Sequence, residues 1–341
     1  IILFAVVFYF NYSKLNILAG YSAKNTASSV FLADRTLAFT DKNDNNFSPI
    51  NLTSDKINEE EKSATGSVFG LLKRKAVYRE GLGAVLVNDD FDFYKKPLVP
   101  KRTKPDNTTP FPYGNAEQKD TIFANIDYKK LNETIDTIFN DVNKTRSVLV
   151  IYKDQIIAEK YNEGFDKNSK QLGWSMTKSI ASTIVGILQC KGKMYVTTDN
   201  LFDEWKDDER KNITLHNLLQ MNSGLEWLED YNTISDVTKM LFLERNMTQT
   251  QVNKPLIGKS NETWNYSSGT TNLISGLIRK QFNTHQEYLD FWYSALIDKI
   301  GMNSMLIETD MDGNYVGSSY GWATARDWAK LGLLYLHNGE W

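Results

Sequence analysis

The sequence contains a single cysteine, Cys190, so no disulfide can form within the chain. Cys190 sits in an apolar stretch of helical pattern, which predicts a small buried core residue rather than a reactive thiol. The three histidines, His216, His285 and His337, lack metal-ligand spacing, so no zinc site and no cofactor are expected; only carboxylates are left as alternative ligands. An excess of positive charge is also missing. The formal net charge of -3 argues against a nucleic-acid partner, because neutralising phosphates needs a basic surface. The acidic run Glu59–Glu61 is short and reads as a solvated loop. Neither an internal repeat nor a low-complexity tract is present.

What is present is a chain of 341 residues with ordinary hydrophobic content, enough for one large domain or two smaller ones. It begins with Ile, not Met, and opens on a wholly apolar run, Ile1 to Phe10. The run has the length of the apolar part of a signal peptide, or of the remaining end of a membrane anchor. A buried strand is the alternative. Residues 1–19 are therefore expected to be a truncated export or anchoring segment, and the protein to be exported to the periplasm or cell envelope. No small-x-small cleavage site is evident, so cleaved, lipid-anchored and membrane-held forms all stay open. Residues 20–120 read as a polar N-terminal extension that ends in a proline-rich linker at Pro97, Pro100, Pro105, Pro110 and Pro112. Within it, Ala76 to Asn88 has the makings of a strand pair, or of a helix and a strand.

Order strengthens after Asp120. Leu131, Ile135 and Ile138 fall at helical spacing and predict an amphipathic helix over 127–142. Ser147 to Asn162 holds two β-rich runs around Lys153-Asp154-Gln155, a hairpin signal. A block of Ser and Thr then runs into apolar Ile180, Ile184, Val185, Ile187 and Leu188 and stops near Gly192, which predicts a buried helix.

The sharpest chemical feature stands at the start of that helix: Ser175-Met176-Thr177-Lys178. Positions i and i+3 of a helix share a face, so the lysine amine can reach the serine hydroxyl. A serine hydroxyl is a weak nucleophile until a base takes its proton, and a lysine serves as that base only if its pKa falls towards neutrality. Ninety-one residues downstream of Ser175 comes Tyr266-Ser267-Ser268-Gly269. There a phenol and two hydroxyls could enter a cleft, and Tyr266 could pass a proton to a leaving group. The same residues also suit a helix cap, because TTNLISGLIRK follows with helical periodicity.

These two motifs in this order resemble the β-lactamase-related serine hydrolases, which include class C β-lactamases, D-alanyl-D-alanine carboxypeptidases, some esterases and the 6-aminohexanoate-dimer hydrolases. The stretches GWSMTKS (Gly173 to Ser179), ITLHNLLQMNSGL (Ile213 to Leu225) and GSSYGWATARDWAKLGLLYLHNG (Gly317 to Gly339) carry the same resemblance. Tyr-Ser-Ser in the second motif is closest in flavour to the 6-aminohexanoate-dimer hydrolase and esterase branch. The resemblance covers 121–341, an expected hydrolase domain. It implies an α+β fold, an antiparallel sheet flanked by helices with a mainly helical second lobe.

By the same resemblance Ser175 is the acylated nucleophile, Lys178 its base, Tyr266 the proton relay, and Ser268 a hydrogen-bonding group that faces the substrate. The family's third motif, Lys-Thr-Gly or His-x-Gly on a core strand, would lie beyond Trp341, so the C-terminal part of the fold is expected to be missing from this chain. The function implied is hydrolysis of a small-molecule amide or ester through an acyl-serine. Short linear amides, D-amino-acid peptides and β-lactams are among the candidate substrates. The alternative is a non-catalytic envelope sensor or binding protein that keeps the fold.

Overall fold

The protein is described by a computed structural model that covers residues 2–341, with side chains from Asn11 onward. In chain order, helix α1 (Ile2–Phe31) and the short α2 (Leu37–Asn43) precede four strands, β1 (Thr53–Asn58), β2 (Ser63–Val68), β3 (Leu72–Arg79) and β4 (Gly83–Val87). Helix α3 (Tyr128–Ile138), strands β5 (Ser147–Tyr152) and β6 (Gln155–Tyr161), and the two-residue β7 (Gln171–Leu172) follow. Then come α4 (Thr177–Cys190), α5 (Leu215–Leu219), α6 (Asp236–Phe242), α7 (Ser268–Arg279) and α8 (His285–Trp292). Strands β8 (Leu306–Ile307) and β9 (Gly321–Ala323) and helix α9 (Ala325–Leu336) complete the order. The class is α+β, and the named strand pairs are antiparallel.

The chain forms two compact units. The first gathers residues 1–100, 173–289 and 306–321; the second gathers 101–172, 290–305 and 322–341. This division differs from the one expected at residue 120. In the first unit β1 to β4 make a consecutive antiparallel meander, with Thr53 opposite Val68, Ser63 opposite Val77 and Lys75 opposite Val87. The polar extension expected over 20–120 therefore contains a sheet, and of the two alternatives for Ala76 to Asn88 the strand pair is the one present, as β3 and β4. Strands β1 and β2 give little sequence signal, because they carry Ser, Thr and Lys and bury small residues such as Ala64 instead of a strong apolar stripe.

Small residues let α1 lie close to this sheet. Ala19, Ala23 and Ala27 are fully buried, and a Cβ on Gly66 of β2 would stand 2.4 Å from the Ala19 carbonyl oxygen. The layer is pinned by a buried ion pair. Lys24 Nζ lies 2.6 Å from Glu308 Oε2, while Ser28 Oγ and the Ala84 amide donate to Oε1 of the same carboxylate. The glutamate comes so near β4 that a Cβ on Gly83, whose φ is +71°, would meet its Cγ at 2.5 Å.

The export or anchoring segment expected at 1–19 lies partly outside the described residues. Among those described, no helix is long and apolar enough to cross a membrane. Residues 88–127, which include the proline cluster, hold neither helix nor strand.

In the second unit the hairpin β5–β6 turns through Lys153 and Asp154, both at positive φ (47° and 61°). Such a turn matches the right-handed twist of its strands. Helix α9 packs on β5, and Arg326 grips Glu159 of β6 through two bonds of 2.8 and 2.6 Å. Asp127 caps α3, which ends four residues before the 142 expected.

Helix α4 buries Thr177, Ile180, Ala181, Ile184, Val185 and Leu188, one continuous face. Cys190 lies off that face and is exposed, which corrects its expected burial. It stands at the end of the helix, between Gln189 and Lys191, at an angle around the axis outside that face.

Candidate active site

Every residue of the candidate site belongs to the first unit. Ser175 occupies a single 3-10 turn, Trp174–Met176, that leads into α4, and Lys178 is the second residue of the helix. Trp174 enters the turn at φ +43°, a left-handed state that costs a non-glycine residue roughly 1–3 kcal/mol. Backbone bonds hold it there: the Gly173 amide donates to the Gly321 carbonyl at 2.8 Å, and the Gly321 amide donates to Thr177 Oγ1 at 3.0 Å. The half-buried Ser175 is thereby placed one turn before Lys178.

The Lys178 ammonium has three hydrogens and three acceptors: Ser175 Oγ at 3.1 Å, Ser268 Oγ at 3.0 Å and the Ser318 carbonyl at 2.8 Å. Burial lowers its pKa from the usual 10.5 to about 8, against the opposing charge of Glu229. The orientation of a neutral amine here follows from hydrogen counting. A carbonyl can only accept, so one N–H goes to Ser318. The hydroxyl hydrogen of Ser268 is committed to Glu229, so the second N–H goes to Ser268. The lone pair is left facing Ser175.

Ser268 opens α7. Ser267 caps that helix by accepting from the Thr270 amide at 2.9 Å, so the cap reading of this motif holds. The resemblance implied that Ser268 faces the substrate. The structure instead buries it completely, with its hydroxyl engaged by Lys178 and Glu229, so its contact is with the base. Tyr266 presents its ring to Lys178, with the ammonium 5.1 Å from the ring centre. Among the described residues nothing hydrogen-bonds its hydroxyl, which lies half-buried and available.

Glu229 belongs to neither sequence motif. Its two oxygens accept from Ser268 Oγ (2.5 Å), the Ser268 amide (2.9 Å), Trp227 Nε1 (2.5 Å) and the Tyr231 hydroxyl (2.8 Å). The local sequence EWLEDYN offers three acids in five residues, and nothing in it distinguishes them. The fold does: Glu226 pairs with Lys254, Asp230 accepts from the Asn232 amide, and only Glu229 turns towards the site.

A cleft of about 350 Å³ opens at Ser175, with Trp174 in its wall. Among the described residues no group of three or more His, Cys, Asp or Glu is placed to hold a metal ion.

A serine, a lysine of lowered pKa and a tyrosine thus converge at the start of a buried helix. The chain belongs to the β-lactamase family, whose family model, Beta-lactamase, matches residues 140–340. Among solved structures it is similar to a protein from Bacillus anthracis described as a 6-aminohexanoate-dimer hydrolase. That likeness has a TM-score of 0.53 and 21% sequence identity, over 62% of this chain and 57% of the other. It is also similar to FmtA from Staphylococcus aureus, with a TM-score of 0.50 and 16% identity over 65% of this chain and 69% of that one. At such identities the likeness concerns the fold alone. This chain thus spans 57% of the length of the Bacillus anthracis protein. No curated protein matches it.

Proposed function

We propose that the protein is a serine hydrolase that cleaves a small-molecule amide or ester through an acyl-serine intermediate. The observation that carries this reading is the placement of Lys178 Nζ 3.1 Å from Ser175 Oγ, with its other two acceptors fixed and its pKa brought down to about 8. In the first step Lys178 takes the Ser175 proton while Oγ bonds to the substrate carbonyl carbon. The proton then passes to the leaving nitrogen or oxygen as its bond to that carbon breaks. Tyr266 is the proposed relay, because its hydroxyl makes no hydrogen bond among the described residues and its ring lies against the lysine. Water then attacks the acyl-serine and regenerates the hydroxyl. Glu229 and Ser268 hold the lysine and are positioning residues.

Family membership supports hydrolysis of amides, esters or β-lactams as the class of chemistry. The apolar run Ile1 to Phe10 is the ground for the accompanying proposal of export to the cell envelope, with possible anchoring through the N-terminus.

The test is hydrolysis of p-nitrophenyl acyl esters by the full-length protein, with intact mass taken after brief exposure, beside Ser175→Ala and Lys178→Ala. Turnover, or an acyl adduct that vanishes in Ser175→Ala, is the expected result. In Lys178→Ala the acylation rate should fall about a hundredfold or more while the fold survives. Absence of both turnover and adduct in the wild type would favour a non-catalytic sensor that keeps the fold.

A further inference from the structure

The cleft at Ser175 has an unusual origin. Its walls come from α1 (Ile17 and Leu18), from the segment after α2 (Phe47) and from the loop before α6 (Ile234), together with Phe242 and Trp174. They are mostly hydrocarbon, and all belong to one unit. Ser175 lines the cleft with Trp174 and with Tyr231, which is bonded to Glu229; Lys178, Tyr266 and Ser268 are not among its walls. The cleft therefore meets the site at Ser175 rather than at the lysine or Tyr266.

That asymmetry sorts the two halves of a substrate. The leaving group must receive a proton as it departs, so it belongs on the Lys178–Tyr266 side. The acyl group stays bonded to Ser175 Oγ and needs space on the other side. We propose that this cleft is the acyl-binding pocket, and that the preferred substrate carries a hydrocarbon acyl chain. The inference rests on the serine hydrolase reading above. In the step itself, Ser175 Oγ bonds to the chain's carbonyl carbon, the bond from that carbon to the alcohol or amine breaks, and water later releases the chain as a carboxylic acid. At roughly 30 Å³ per water-sized group, the cleft holds on the order of ten methylenes.

The test is kcat/KM for p-nitrophenyl acetate, butyrate, octanoate and dodecanoate, with intact-mass detection of the Ser175 adduct. Each methylene that enters the cleft should raise kcat/KM by up to about fourfold, the equivalent of its burial free energy. The rise should stop once the cleft is full. Ile234 is 39% exposed, so it can be changed with little risk to the fold. Ile234→Asp should collapse the octanoate-to-acetate ratio, and Ile234→Phe should move the optimum to a shorter chain. Turnover with a flat chain-length profile that neither variant alters would overturn the acyl-pocket inference and leave the hydrolase reading standing. Absence of both turnover and a Ser175 adduct with every ester would sink both.

Discussion

Ser268 gives both of its donors to one carboxylate: its Oγ lies 2.5 Å from Glu229 Oε1, and its amide nitrogen 2.9 Å from Oε2. The consequence is felt one bond away. With its hydrogen committed, the Ser268 hydroxyl can only accept from Lys178, and the lysine lone pair is steered to Ser175. A residue absent from the Ser-x-x-Lys pattern thus decides how that pattern is oriented.

The pH profile should report this lysine. Its pKa is lowered to about 8, and only the neutral amine can act as base, so roughly a tenth of molecules are competent at pH 7. We expect kcat/KM for a neutral ester to rise about tenfold per pH unit below that value and to level off above it. A profile that is flat from pH 6 to 9 would show that Lys178 is not the base.

Glu229 raises the Lys178 pKa by its charge and holds Ser268 by its shape. Glu229→Gln keeps one acceptor oxygen for the Trp227 and Ser268 N–H groups while removing the charge. The inflection of the pH profile should therefore move to lower pH. A fall in rate with the inflection unmoved would assign Glu229 a purely structural role.

Gly269→Ala should destabilise the protein by about 1–3 kcal/mol. The new Cβ would stand 2.5 Å from the Trp227 ring, which is buried and tied to Glu229 and so has nowhere to swing. Thermal denaturation reads this directly, and an unchanged midpoint would mean that the ring is free to shift.

Lys24→Met should cost about 3–5 kcal/mol, because it removes the hydrogen-bonded ion-pair partner of the buried Glu308. A change in urea midpoint too small to measure would mean that α1 is not integral to the first unit.

The site and the fold were not equally legible in the sequence. Ser175 and Lys178 could be read because helical geometry brings i and i+3 together whatever surrounds them. The β5–β6 hairpin and the apolar face of α4 declared themselves by periodicity. Glu229 could not be read, since its role depends on a loop whose three acids look alike in sequence. The α1–sheet layer was hidden for another reason. Alanine, serine and glycine give close packing without a strong hydrophobic signal, so a well-packed layer resembled a polar extension.

The Lys24–Glu308 pair also sets an order of events during synthesis. The meander can close on α1 once Val87 has left the ribosome, but the partner of Lys24 is made more than two hundred residues later. At about 5–20 residues per second the delay is on the order of ten to forty seconds. Until Glu308 is available, closing the layer would bury the Lys24 amine without the carboxylate it pairs with in the folded chain, which disfavours closure. The wall of the cleft that α1 contributes is accordingly among the last parts of the protein to become rigid, although it is among the first to be made.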